Sequence, residues 1–421
     1  MARAVRRRSP AMKRGQRTKD TGRKIALVCG GGGLTGGVFE VGALRALDRA
    51  LGGGVLADLD CYVGASAGSL VASLLAAGAS PQDMEDVLVR GGGLRSRLPE
   101  LKRGNIYGLE ATPWLGSLAR LPFRMTRGFL LSLLPGDSSR PTDALFEAFG
   151  CLPPGLFSNE PIARYVRRAM SRMGCDDSFD SLAVSLYVTA VNLDTSRRVV
   201  FGEPGQRSVP ISKAVQASSA LPLLFRPVRV GEQDFVDGGL ERNLPVDVAV
   251  RHGAGLVIAV NPLVPVVNDP RKGRSLIDGE RHLSGRGLPA VLDQVFRMLI
   301  RSQVLYGLQA MRDRFPEVDI VLLEPEAHDW QMFSYHPMRY SVRKQLADHA
   351  YEVTRDRLVR DSDDLEQVFA RHGLDFQVAR LGRPRRRARA MSSARWLLGR
   401  LGRMPLLRDL AAAEEERDPF Y

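Results

Sequence analysis

Two short motifs in this 421-residue chain carry residues that could do covalent chemistry together. The first is Gly64-Ala65-Ser66-Ala67-Gly68, which directly follows the apolar run at residues 59–63 and precedes an apolar helix pattern ending near Gly78. A serine on a sharp strand-to-helix turn tolerates only small neighbours, because larger ones collide with the strand or the helix, and Gly64, Ala65, Ala67 and Gly68 meet that need. Such a turn projects the Ser66 hydroxyl beside a helix N-terminus, where free N–H groups favour developing negative charge. Ser66 is therefore a candidate nucleophile. The second motif is Asp237-Gly238-Gly239, which closes a hairpin pattern at residues 227–239 and sets a carboxylate at a strand end with little bulk around it. Asp237 is the candidate base, although Asp-Gly-Gly alone is also a turn signature.

A third stretch could stabilise the charge that such a reaction generates. The apolar run at residues 25–29 breaks into Gly30-Gly31-Gly32-Gly33-Leu34-Thr35-Gly36-Gly37, and a helical pattern follows from Val38 to Leu51. A loop almost free of side chains can bring several backbone N–H groups to one oxygen, as an oxyanion hole requires. The same loop fits G-x-G-x-x-G at Gly31, Gly33 and Gly36, so dinucleotide binding competes, with Asp48 or Asp58 as the ribose acid. No Lys-Ser or Lys-Thr pair closes the loop, which excludes Walker-type phosphate binding.

The elements that must position these motifs alternate in type along the chain. Residues 80–83, Ser-Pro-Gln-Asp, read as a cap, a first-turn proline and a capping acid for a helix running to about Arg90. Helix patterns follow at 157–173, 210–219, 243–253, 289–314 and 340–359, with strands at 184–192, 198–201, 256–260 and 319–323. This is the alternation of an α/β protein with a mainly parallel sheet. Residues 94–150 differ: Trp114, Leu115, Phe123 and Phe129 alternate with Arg120, Arg124 and Arg127, and prolines keep any helix short. That segment is expected to cover an apolar channel as a lid.

Composition bounds the setting. The chain is 44% hydrophobic and 25% charged, as a globular protein is, and no apolar run approaches the roughly eighteen residues of a membrane span. The start lacks the apolar segment of a secretory signal, so the cytosol is the expected compartment. Cys29, Cys61, Cys151 and Cys175 form no C-x-x-C pair and read as free thiols, and the histidines have no ligand spacing. No metal or other cofactor is expected. The net charge of +13 is concentrated at the ends, with ten Lys or Arg in residues 1–24 and ten Arg in residues 380–408. Residues 25–379 are close to neutral. Residues 1–24 read as a disordered basic arm. Residues 380–421 read as a basic amphipathic stretch, with Trp396 and Leu397 beside its arginines, followed by an acidic end. That stretch suits peripheral contact with an anionic membrane; nucleic acid is not expected, because aromatic residues are not interleaved with the arginines.

With these stretches read, the chain resembles the bacterial-type patatin-like phospholipases over about residues 25–262. Three motifs stand in that family's order: a glycine-rich loop after the first strand, G-x-S-x-G after the next, and D-G-[AG] well downstream. Ala217-Ser218-Ser219-Ala220-Leu221-Pro222 and Asn243-Leu244-Pro245 are also similar to the family. The resemblance implies a three-layer α/β/α fold and a catalytic domain over residues 25–375. It implies a Ser–Asp dyad with Ser66 as nucleophile and Asp237 as base. It also implies an oxyanion hole from the backbone of Gly31, Gly32 and Gly33, with Gly36 closing the loop, and a lipid as substrate. One position departs from the pattern: where the family usually has Arg or Lys near the end of the loop, this chain has Thr35, or Gly36 if the extra glycine shifts the register. Two other readings stand beside this one. An ordinary α/β-hydrolase triad would need His328, His336 or His349, and a non-enzymatic nucleotide- or lipid-binding protein would need neither Ser66 nor Asp237.

Overall fold

The computed structural model describes residues 23–91, 96–102, 104, 106, 108, 153–267, 282–327, 329, 332 and 340–382. The expected lid core, His328 and His336, Cys151, most of the basic arm and nearly all of the basic tail lie outside the described residues.

The chain begins β1 (Lys24–Cys29), α1 (Gly33–Ala50), β2 (Cys61–Ala65), α2 (Ala67–Ala76) and α3 (Pro81–Arg90). After β3 (Gly155–Phe157) and α4 (Glu160–Arg172) come β4 (Ser185–Asn192), β5 (Arg197–Phe201) and α5 (Ile211–Ser218). The hairpin region comprises β6 (Leu223–Phe225), β7 (Val228–Val230) and β8 (Gln233–Asp237). It leads into α6 (Gly239–Arg242), α7 (Val246–Arg251) and β9 (Ala254–Val260). The long α8 (Leu288–Arg314), β10 (Asp319–Leu323) and α9 (Arg343–Arg360) follow.

Eight strands form one sheet in the order β10-β9-β1-β2-β4-β8-β7, with β5 also on β4. The five from β10 to β4 run parallel, while β5 and β8 are antiparallel to β4. Side chains of a strand alternate between faces, and here both faces are covered. Ile25, Leu27 and Cys29 of β1 join the core beneath α1, α2 and α9, whereas Ala26 and Val28 join the core beneath α7 and α8. The result is the three-layer α/β/α arrangement, and its continuous apolar strands follow from burial on both faces.

Pairing along β4 brings the two motif ends together. Residues 188–189 of β4 pair with both β2 and β5, and residues 190–192 with both β5 and β8, so β2 and β8 share one edge of β4 in succession. Ala65 at the end of β2 sits opposite Thr189, and Asp237 at the end of β8 sits opposite Ala190. Ser66, which follows Ala65, and Asp237, 171 residues apart in sequence, therefore meet at one level of the sheet.

Several expectations shift at their boundaries. Helix α1 starts at Gly33 rather than Val38, because Gly32 and Gly36 pack directly on Pro262: a Cβ at either would lie 2.7 or 3.1 Å from the Pro262 ring. Part of the glycine run thus serves helix packing rather than a loop. The helix expected over 157–173 begins at Glu160 because Phe157 pairs in a small parallel sheet with β6. The helix expected over 243–253 is α7, which starts at Val246 with Pro245 as its N-cap, and the short α6 before it was not expected. At the N-terminal end, residues 23 and 24 belong to the fold and not to the arm, since Lys24 opens β1 and Arg23 bonds to the Glu317 carbonyl at 3.0 Å. Packing also continues beyond residue 375: Leu381 is buried, and the Arg49 guanidinium donates to the Arg380 carbonyl at 2.7 Å. Among the described residues, Cys29, Cys61 and Cys175 are free, and no helix is long and apolar enough to cross a membrane.

Candidate active site

Ser66 occupies the single residue between β2 and α2, with φ 52° and ψ −127°. A side-chain-bearing residue adopts this conformation only when its surroundings enforce it. The enforcement is visible. The Ser66 N–H donates to Ser218 Oγ at 2.8 Å, and its carbonyl accepts from the Ser69 amide at 2.9 Å and the Ser69 hydroxyl at 2.6 Å. The flanking glycines are required by contact. A Cβ at Gly68 would stand 2.4 Å from the Cys29 carbonyl oxygen, and one at Gly64 would stand 2.4 Å from the Ser69 Cα.

The Ser66 hydroxyl donates to Asp237 Oδ2 at 2.5 Å, and Asp237 Oδ1 accepts the Gly239 N–H at 2.8 Å. Gly238 fits only because it lacks a side chain, since a Cβ there would be 2.1 Å from the Thr189 carbonyl oxygen. Asp237 is buried, and burial pushes its carboxyl up to about 6, partly offset by the hydrogen bonds from Ser66 and Gly239. Deprotonated, such a carboxylate is a stronger base than an exposed aspartate.

The glycine loop faces the same serine. A Cβ at Gly31 would lie 2.8 Å from the Ser66 Cβ, so the loop backbone touches the Ser66 side chain. Its amides are not equivalent. The Gly31 N–H is taken by Asn243 Oδ1 at 3.0 Å, and the Gly36 N–H by the Gly32 carbonyl at 2.9 Å as part of α1. The amides of Gly32 and Gly33, at the start of α1, have no partner among the described residues. The two glycines expected as further members of the loop thus have their N–H groups committed elsewhere.

Beside Ser66 opens a cavity of about 110 Å³, lined almost wholly by apolar side chains, among them Leu34, Val38, Leu74, Met84, Tyr165 and Phe225. It runs between α1, α2, α3 and α4, and the helix faces that line it are apolar because they form its walls.

Other candidate residues are not brought to this site. Asp48 accepts the amides of Gly54 and Leu56, at the far end of α1, and Asp58 precedes β2, which runs parallel beside β1, so it lies at the opposite end of the strands from the glycine loop. Neither stands where a ribose on that loop would need an acid. His349 is on α9 and bonds Asp329 at 2.7 Å, while the Ser66 hydroxyl is already bonded to Asp237. Two neighbours escaped the reading of residue types: Ser218, which fixes the Ser66 backbone, and Asn243, which holds Gly31. Their signal was the family-like stretches around them, Ala217-Ser218-Ser219-Ala220 and Asn243-Leu244-Pro245, which named the residues without giving them a role.

A sequence model of the patatin-like phospholipase family matches residues 27–250, slightly more than half of the chain. The chain belongs to the patatin-like phospholipase family. Among curated relatives, a probable lipid hydrolase of Invertebrate iridescent virus 6 is 22% identical over 227 residues, spanning 52% of this chain and 62% of its own. A cGAMP-activated phospholipase of Vibrio cholerae is 24% identical over 229 residues, spanning 51% of this chain and 53% of its own. An uncharacterized NTE family protein of Mycobacterium tuberculosis is 35% identical over 99 residues, 21% of this chain and 16% of its own. This chain therefore matches less than two thirds of the length of each. Of solved structures, VipD from Legionella pneumophila aligns at 15% identity and TM-score 0.36 over 80% of this chain and 67% of its own. The patatin-like match begins just inside β1 and ends in α7, so it contains both motif residues and the whole glycine loop.

Proposed function

We propose that this patatin-like chain is a serine-dependent lipid acyl hydrolase that cleaves carboxylic esters of phospholipids or related lipids through an acyl-Ser66 intermediate. The observation that carries the proposal is the 2.5 Å hydrogen bond from Ser66 Oγ to buried Asp237, at the rim of an apolar cavity. In this reading Asp237 accepts the hydroxyl proton as Oγ attacks the ester carbonyl, and the carbonyl oxygen becomes an oxyanion facing the Gly32 and Gly33 amides. Collapse expels the alcohol, which takes the proton from Asp237, and leaves the acyl group on Ser66. Water, deprotonated by the same carboxylate, then releases the fatty acid and restores the hydroxyl. The cavity suits an acyl chain: it is apolar and Ser66 is one of its lining residues. Lipid as substrate also agrees with the lipid hydrolase and phospholipase names of the relatives. The proposal extends to the chain ends, with the basic stretch within 380–408 holding the protein peripherally on anionic lipid and residues 94–150 covering the cavity.

The test is product analysis. Purified protein incubated with mixed phospholipid vesicles should release free fatty acid and lysolipid, and a fluorophosphonate should label Ser66 alone. Near wild-type ester turnover by a folded Ser66→Ala variant would sink the proposal. The triad alternative gains no support from His349, which is held by Asp329.

A further inference from the structure

Asn243 stands six residues beyond the aspartate of the Asp-Gly-Gly turn and is buried, and both polar atoms of its side chain are spent on one glycine of the loop. Its Oδ1 accepts the Gly31 N–H at 3.0 Å, and its Nδ2 donates to the Gly31 carbonyl at 3.3 Å. The second bond has a consequence for catalysis. A peptide group is planar and trans, so a Gly31 carbonyl turned toward Asn243 forces the N–H of Gly32, on the same peptide, to point the opposite way. That N–H is one of the two loop amides with no partner among the described residues.

Asn243 is in turn held from two sides. Its Oδ1 rests against the turn after Asp237, where a Cβ at Gly239 would lie only 2.7 Å away. Its Nδ2 also reaches Asn261 Oδ1 at 3.5 Å, and Asn261 continues to Glu324 Oε2 at 3.3 Å, which is ion-paired with Arg301 of α8. A Cβ at Gly31 would meet Asn243 Oδ1 at 2.6 Å and the Ser66 Cβ at 2.8 Å, so Gly31 is clamped between the asparagine and the nucleophile. One amide side chain thus links the base turn, the glycine loop and the serine.

We propose that Asn243 is a positioning residue that aims the Gly32 amide at the oxyanion and ties that aim to the turn carrying Asp237. The proposal rests on the reading of Ser66 as nucleophile. An aspartate at 243 would still accept from Gly31 N–H but would set a carboxylate oxygen against the Gly31 carbonyl, and alanine would leave the peptide free to rotate. Either change should leave the resting substrate pocket intact while weakening the donor that matters when charge develops.

The experiment compares the full-length protein with its Asn243→Ala and Asn243→Asp variants on p-nitrophenyl butyrate, with inhibition by a trifluoromethyl ketone and thermal unfolding measured alongside. The ketone adds to the serine hydroxyl as a hemiketal whose oxyanion occupies the donors. The expected result in both variants is a fall in kcat of about a hundredfold, the usual scale for one lost donor, with KM within about threefold. The inhibition constant should rise by about the same factor as kcat falls. A kcat within threefold of wild type, or a lower kcat with ketone affinity unchanged, would overturn the proposal. So would a loss confined to the Asp variant, which would assign the effect to charge beside Asp237. Should the Ala variant not fold, Asn243→Ser takes its place with the same expected values. A Ser66→Ala control that keeps turnover would instead overturn the nucleophile assignment, whatever the Asn243 variants do.

Discussion

Replacing Asp237 by Asn should abolish ester hydrolysis and at the same time make the protein harder to unfold at neutral pH. Burial raises the Asp237 carboxyl from 3.8 to about 6. An acid whose folded-state value lies above its unfolded one keeps its proton longer when folded, so stability is lost as pH rises from about 4 to about 6 and the loss is complete above that. At about 1.4 kcal/mol per unit, a rise of two units corresponds to about 3 kcal/mol carried as a cost by the ionised native state at pH 7. Asparagine removes the ionisation while keeping the shape. Its carbonyl can still accept from Gly239 N–H, and its amide can donate to Ser66 Oγ, so both protein partners of the carboxylate keep a hydrogen bond. Thermal unfolding of wild type and Asp237→Asn between pH 4 and 7.5 reads the difference directly, because titrations elsewhere cancel. The variant should be the more stable at pH 7 by up to about 3 kcal/mol, with the gap closing toward pH 4. A variant that is less stable at pH 7, or a gap that does not change with pH, would refute the claim that this carboxylate is held ionised against its burial.

Further outcomes follow from the same geometry. The wild-type kcat/KM on a soluble ester should rise with pH through an inflection near 6, where Asp237 becomes the free base; a flat profile from pH 5 to 8 would count against its role. Gly68→Ala should cost at least a hundredfold in kcat or prevent folding, because its Cβ would stand 2.4 Å from the Cys29 carbonyl oxygen, and full activity would show that the turn yields more than its contacts allow. Glu40 is fully buried in α1, and burial raises its carboxyl well above the usual carboxylate range, an effect the Gly30 backbone amide partly opposes. Glu40→Gln should therefore be tolerated and should flatten the wild type's loss of stability as pH rises above the ordinary carboxylate range, which unfolding midpoints from pH 4 to 10 would test. Removing residues 383–421 should weaken co-sedimentation with anionic vesicles while leaving hydrolysis of a soluble ester intact; unchanged binding would rule out the tail as an electrostatic anchor.

The parts of this protein that local chemistry dictates could be read directly from residue order. Apolar runs of five or six residues between turn signals mark β1, β2 and β9, because strands buried on both faces need no polar alternation. The small residues around Ser66 mark a turn that admits nothing larger, and Ser80, Pro81 and Asp83 mark the start of α3 through a capping box, which the Ser80 side chain completes. Tertiary structure decided what depends on distant chain segments arriving at one place. Only the succession of β2 and β8 along one edge of β4 brings Asp237 to Ser66, and only the approach of Asn243 and Pro262 divides the glycines between loop and helix. Which amides remain free for an oxyanion is likewise a tertiary matter: a backbone N–H has no side-chain identity to read, and its availability depends on which acceptors fold against it.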